Sequence, residues 1–248
     1  MRLILCILLF FLVFPVSGQT GALKIISAEE AVAMALRNDP SLQTDDGKKK
    51  ISRDIKSAWF QWLFQINRLL VIRDQLHVLN DLDRIAALRY QEGDIELLEK
   101  SYFTTELAKI RTNAVVLSNE IDITTNRLRK LLHVPEKIAP ADTVLSIYQI
   151  NKGPGGDLFP GEPPDTLTIE NLQLTLDSYF VTLQFYKTAG LDHARLILKT
   201  SQAKFKAEEI DYLEFTRTID EAYKIRMEYL QVLNDYNQTA IELEHYAY

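Results

Sequence analysis

The sequence predicts an all-α protein: long antiparallel coiled-coil helices in two internally repeated helix-hairpin units, with no membrane β-barrel strands. Three observations predict it. Apolar residues recur at steps of three and four over two stretches of more than thirty residues, the signature of a helix packed along another helix. The same pattern returns after a proline-rich interruption. The two halves then share identical residues at a fixed spacing of 115.

Composition sets the outer bounds. A chain that is 47% hydrophobic and 25% charged is globular rather than disordered. A net charge of -6 offers no contiguous basic surface to displace counterions from phosphates, so nucleic acid is not an expected partner. The single cysteine, Cys6, lies in the first apolar run, which excludes a disulfide framework and a cysteine-based zinc site.

Residues 1–18 read as a signal peptide, with Arg2 before the apolar run and small residues before a cut that leaves Gln19 first. The run is short for an anchor across ~30 Å of hydrocarbon. Residues 19–133 hold an N-terminal helix and the first long hairpin. Ser27 and Glu30 form a capping box, and Pro40 ends the helix that follows. The polar stretch from Thr44 to Lys50 reads as a solvated junction. From Ile51, the residues Ile55, Trp59, Trp62, Ile66, Leu69, Ile72, Leu76, Leu79 and Leu82 trace one seam. Gln91 to Asp94 interrupts it, and Ile95, Leu98, Tyr102, Ile110, Leu117, Ile121 and Leu128 trace the next. Each rod is roughly 50 Å long at 1.5 Å per residue.

Residues 134–168 form a linker holding six of the eight prolines, with Thr143 to Tyr148 as its one plausible short strand. Its Gly153 to Gly156 turn lacks the residues of a phosphate loop. Residues 169–248 are the second hairpin: Leu172, Leu176, Phe180, Leu183, Ala194 and Ile197 mark one rod, with Gly190 as a weak point. Ile210, Leu213, Tyr223, Met227, Leu230, Leu233 and Ile241 mark the other. Ten of the 40 pairs from position 89 to 128 are identical at the 115-residue spacing, including Ile95, Leu98, Lys109, Ile110 and Arg111. A duplicated two-helix unit accounts for this.

Three stretches carry a family resemblance. Ile26 to Pro40, Ala87 to Leu98 and Leu198 to Glu244 resemble, in order, the opening helix, first tip turn, and second tip with last helix of the TolC-like outer-membrane efflux proteins. The last is most similar to the branch serving heavy-metal and cation pumps. The resemblance implies a homotrimeric periplasmic tube whose tips meet an adaptor protein linked to an inner-membrane pump. It assigns Arg89, Tyr90, Gly93, Ile95 and Leu98 to one adaptor-binding tip, and Lys204, Phe205, Ile210, Tyr212 and Leu213 to the other. Gly93 suits a reversal because glycine accepts positive φ. Glu208 stands where the second tip has no such glycine, which departs from the pattern.

A second departure is larger. The helix and strand hairpins that this family places before each long rod have no counterpart here, and membrane strands need about 9–11 alternating residues. The expected function is therefore a TolC-like efflux component, a passive conduit or helical tube located in the outer membrane or periplasm. The alternative is a barrel-less periplasmic interaction protein without transport activity. No catalytic role is expected. His77, His133, His193 and His245 have no ligand spacing, Glu242 to His245 is an ordinary charged helix end, and neither a nucleophile motif nor a cofactor motif is present. The aromatic seam around Trp59 and Trp62 reads as packing, and Asn237 as a chance glycosylation match.

Overall fold

The computed structural model describes residues 23–39, 44–150 and 166–247. The predicted signal peptide, the Gly153 to Gly156 turn and Pro40 lie outside them. Within them the regular structure is helical apart from two three-residue strands, so the all-α class holds and no barrel strand is among the described residues.

Helix α1 (Ala28–Asn38) begins at the expected capping box: Glu30 N donates to Ser27 Oγ at 3.2 Å, and Ser27 N to the Glu30 carboxylate at 2.8 Å. Helix α2 (Asp45–Glu92) starts earlier than its apolar seam. Thr44 caps it by accepting from Gly47 N at 3.1 Å, and Asp45 and Asp46 sit in its first turn. The lysines at 48–50 are thus helical, not a junction, because a capped and acid-rich first turn satisfies the amides that an apolar stripe does not reach. Helix α3 (Leu97–Leu131) returns along α2.

Strand β1 (Lys24–Ile26) pairs in parallel with β2 (Ile138–Pro140), which fixes the start of the chain beside the exit of the first hairpin. The strand expected at Thr143 to Tyr148 does not form. Side chains from the helices take its backbone groups instead: Asn67 Nδ2 donates to Thr143 O at 2.7 Å, while Asn237 donates to Ser146 O at 2.8 Å and accepts from Tyr148 N at 2.7 Å. Asn237 is fully buried in this role, which removes it as a glycan acceptor.

The second hairpin consists of α4 (Thr166–Phe185), a π-helical turn at Tyr186–Gly190, α5 (Leu191–Lys206) and α6 (Tyr212–Ala247). The weak point at Gly190 is this π turn. A Cβ there would lie 2.8 Å from Tyr186 Cδ1, so the ring occupies the space that glycine leaves. A π turn absorbs one inserted residue. Consistent with that, buried Ile55 and Leu69 of α2 match buried Ile169 and Leu183 of α4 one residue short of the 115 spacing that holds beyond the turn.

The long helices pack as a row in the order α3, α2, α6 and the α4–α5 rod, with α1 against α2. The predicted seam residues Ile55, Trp59, Trp62, Leu69, Ile72, Leu79 and Leu82 are all buried in it. Trp59 and Trp62 meet edge to face at 5.4 Å, as packing residues do. Burying each such large side chain contributes about 1.5–3 kcal/mol.

Candidate functional site

Both hairpins reverse at the same end of the row with the same backbone geometry. At the first tip, Gly93 N donates to Tyr90 O and Asp94 N to Arg89 O. At the second, Glu208 N donates to Phe205 O and Glu209 N to Lys204 O, at equivalent positions of the duplication. These paired bonds close a helix end through a left-handed residue. Gly93 supplies it with φ 85°, and Glu208 adopts φ 60° despite its side chain. The departure at Glu208 therefore leaves the turn intact, at a cost of roughly 1–2 kcal/mol for a non-glycine residue.

Part of that cost is offset by a contact between the tips. Arg89 Nη2 lies 3.2 Å from Glu208 Oε1, and its guanidinium stands 5.4 Å from the centre of the Tyr212 ring. Below it an aromatic cluster joins the hairpins. Phe205 stacks on Phe215 at 4.5 Å and meets Tyr212 edge-on at 4.7 Å, and Tyr212 packs on Phe103 at 5.2 Å. Lys100 sits 4.7 Å over Tyr90.

The ten predicted tip residues fall into three groups. Tyr90, Gly93, Leu98 and Lys204 are exposed, Leu98 at 79%. Arg89, Ile95, Phe205, Ile210 and Leu213 are half-buried. Tyr212 is 2% exposed and belongs to the core between the tips, so it supports this surface without forming part of it. Its hydroxyl is buried without a hydrogen-bond partner, and burial holds the phenol above its usual range although Arg89 pulls it down. Phe215, Phe103, Lys100 and the acidic partner of Arg89 escaped the sequence reading. The density of aromatics between 205 and 215 was the available signal.

Behind the tips, α2 and α5 face each other across a groove of about 480 Å³. Val78, Leu82 and Ile85 of α2 line it with Phe205 and, from α6, Phe215. Arg84 and Lys206 stand on opposite walls. Neither has an ion-pair partner among the described residues, whereas His77 is 3.7 Å from Asp81 and Arg89 is engaged by Glu208. Among the described residues no group of three or more His, Cys, Asp or Glu side chains is placed to hold a metal ion. No helix among them is long and apolar enough to cross a membrane.

These features define a duplicated helical-hairpin protein whose two reversals meet in one tip. No family model matches the chain, and no curated protein matches it in sequence. Among solved structures it is similar to CusC, known from crystal structures describing conformational changes that accompany folding and transmembrane channel formation. The TM-score is 0.57 at 13% identity, over 89% of this chain and 92% of that one. A likeness at that identity establishes a shared fold.

Proposed function

We propose that the chain is an exported, envelope-located component of a TolC-like efflux assembly. It acts as a passive conduit or helical tube whose tips dock an adaptor of a cation or drug pump, with no catalytic step of its own. The observation that carries this reading is the fold shared with CusC along nearly the whole of both chains.

The helix row supports self-assembly. Its central seam joins α2 of one hairpin to α6 of the other: Gln238 exchanges hydrogen bonds with Ser57, and Asn234 donates to Gln61. In the duplication α3 is the counterpart of α6, and the α4–α5 rod of α2. The two faces that meet in this seam thus recur at the ends of the row. There Ile123, the counterpart of Gln238, is 68% exposed, and Leu174, Val181 and Phe185 of α4 are exposed as well. A head-to-tail contact of this kind closes a ring when the rotation allows. A ring of three is what the family resemblance implies.

The second reading, a helical interaction protein without transport, is favoured by the described strands, which amount to β1 and β2 alone. One experiment separates the two. The chain is recovered from cell fractions, its mass is measured by light scattering, and a photocrosslinker at Leu98 is tested against co-expressed adaptors. Envelope association, a three-chain mass and an adaptor crosslink are expected. A soluble monomer without a crosslink would leave only the second reading.

A further inference from the structure

The groove between α2 and α5 combines an apolar floor with two cations that have no ion-pair partner among the described residues, Arg84 and Lys206, against one lining carboxylate, Asp81, in a chain whose net charge is -6. Val78, Leu82 and Ile85 follow one another at steps of four and three, the spacing with which one helix receives another. Leu82 and Phe215 already lie in the core, so the groove has a firm base. Lys206 is in the last turn of α5, where the helix dipole favours a cation. Arg84 is not so explained, since it precedes the end of α2 at Glu92 by two turns. The duplication repeats it as Lys199, and Arg89 as Lys204, so positive charge recurs on the matching wall of the other half.

We propose that this groove receives an acidic amphipathic helix of a partner protein. The leucine-like face of that helix lies on Val78, Ile85 and Phe205, and its flanking carboxylates reach Arg84 and Lys206. From Val78 to Arg89 the wall runs roughly 17 Å, enough for about three turns of the incoming helix. The proposal rests on the tip-docking reading and adds the chemistry of the docked segment: apolar positions at i, i+4 and i+7, with glutamate or aspartate beside them. Complementary charge sets which partner is accepted more than how tightly an apolar face binds.

The test uses the full chain and two labelled helical peptides of 18 residues. They share one leucine face and differ only in having glutamates or lysines flanking it. Fluorescence anisotropy is expected to show the glutamate peptide binding roughly tenfold more tightly at low salt. The exposed double variant R84E/K206E, with unchanged circular dichroism, is expected to invert that preference. Equal binding of the two peptides, or a preference that the double variant leaves in place, overturns the proposal. So does a change in the chain's own sedimentation in that variant, because the groove would then be a seam between copies. If the peptides show no preference while adaptors still crosslink at Leu98, the charge inference fails and the docking reading stands. The reverse pair of results sinks the docking reading alone.

Discussion

The two tips share one backbone turn and reach it by different means. The first uses glycine at the left-handed position and leaves Leu97 and Leu98 at 63% and 79% exposure. The second forces Glu208 into the same conformation, caps α6 with Asp211, and turns Tyr212, the counterpart of Leu97, into the core. Glu96, the counterpart of Asp211, makes no side-chain cap. The lesson is a division of labour: the second tip is built for cohesion between hairpins, and the first for presenting apolar surface outward.

The sharpest way to break this comparison is to truncate the paired positions. Tyr212→Ala should cost about 3–5 kcal/mol in chemical unfolding, as loss of a buried aromatic does. Leu97→Ala should change stability by no more than about 0.5 kcal/mol. Equal losses would show that both tips are structural. Next in size is the turn residue. Gly93→Val should cost about 1–2 kcal/mol, while Glu208→Gly should hold stability or raise it by up to about 1 kcal/mol, since strain relief outweighs an exposed ion pair. Thermal melts would then fall for Gly93→Val and not for Glu208→Gly.

A smaller effect is expected at the caps. Asp211→Ala should lower stability by about 1 kcal/mol, through loss of the 2.7 Å bond from Glu214 N, and Glu96→Ala should leave it unchanged. The smallest concerns the orphaned hydroxyl. Tyr212→Phe removes a buried donor without a partner and should stabilise the chain by about 1 kcal/mol. Its sign with pH follows from the raised phenol pKa. The folded chain keeps a proton that the unfolded chain releases above about pH 10, so wild-type stability falls there through this group. Denaturation midpoints of Tyr212→Phe and wild type should therefore diverge further above that pH.

The long rods were legible because burial on one face forces steps of three and four; most residues read from those steps are buried or half-buried, while Leu98, Tyr102 and Phe180 are exposed because they lie at the tip or on the outer helices of the row. The duplication was legible for the same reason. The strands were not: three residues such as Lys24–Ile26 carry too little alternation to read, and Pro140 argues against a strand by propensity. The stretch from Thr143 to Tyr148 has strand-like residues, yet the amides of half-buried Asn67 in α2 and buried Asn237 in α6 claim its backbone first, a tertiary effect invisible to local pattern. The start of α2 was missed although Thr44 and two aspartates announce it. At the tips the turn at Gly93 was readable from its glycine. The burial of Tyr212 depends on Phe103, Phe205 and Phe215 converging from three helices, which no linear spacing encodes.

The π turn at Tyr186–Gly190 has one more consequence, for anything that runs along the outer edge of the second hairpin. One surplus residue would advance the phase of an unbroken α-helix by about 100°, and the wider turn takes that rotation up. The buried side of α4, marked by Leu183, therefore stays in line with that of α5, marked by Ala194 and Ser201, and the outward side runs on from Leu174 and Val181 to Leu196. A straight neighbouring helix can thus follow this edge past Tyr186 without a break.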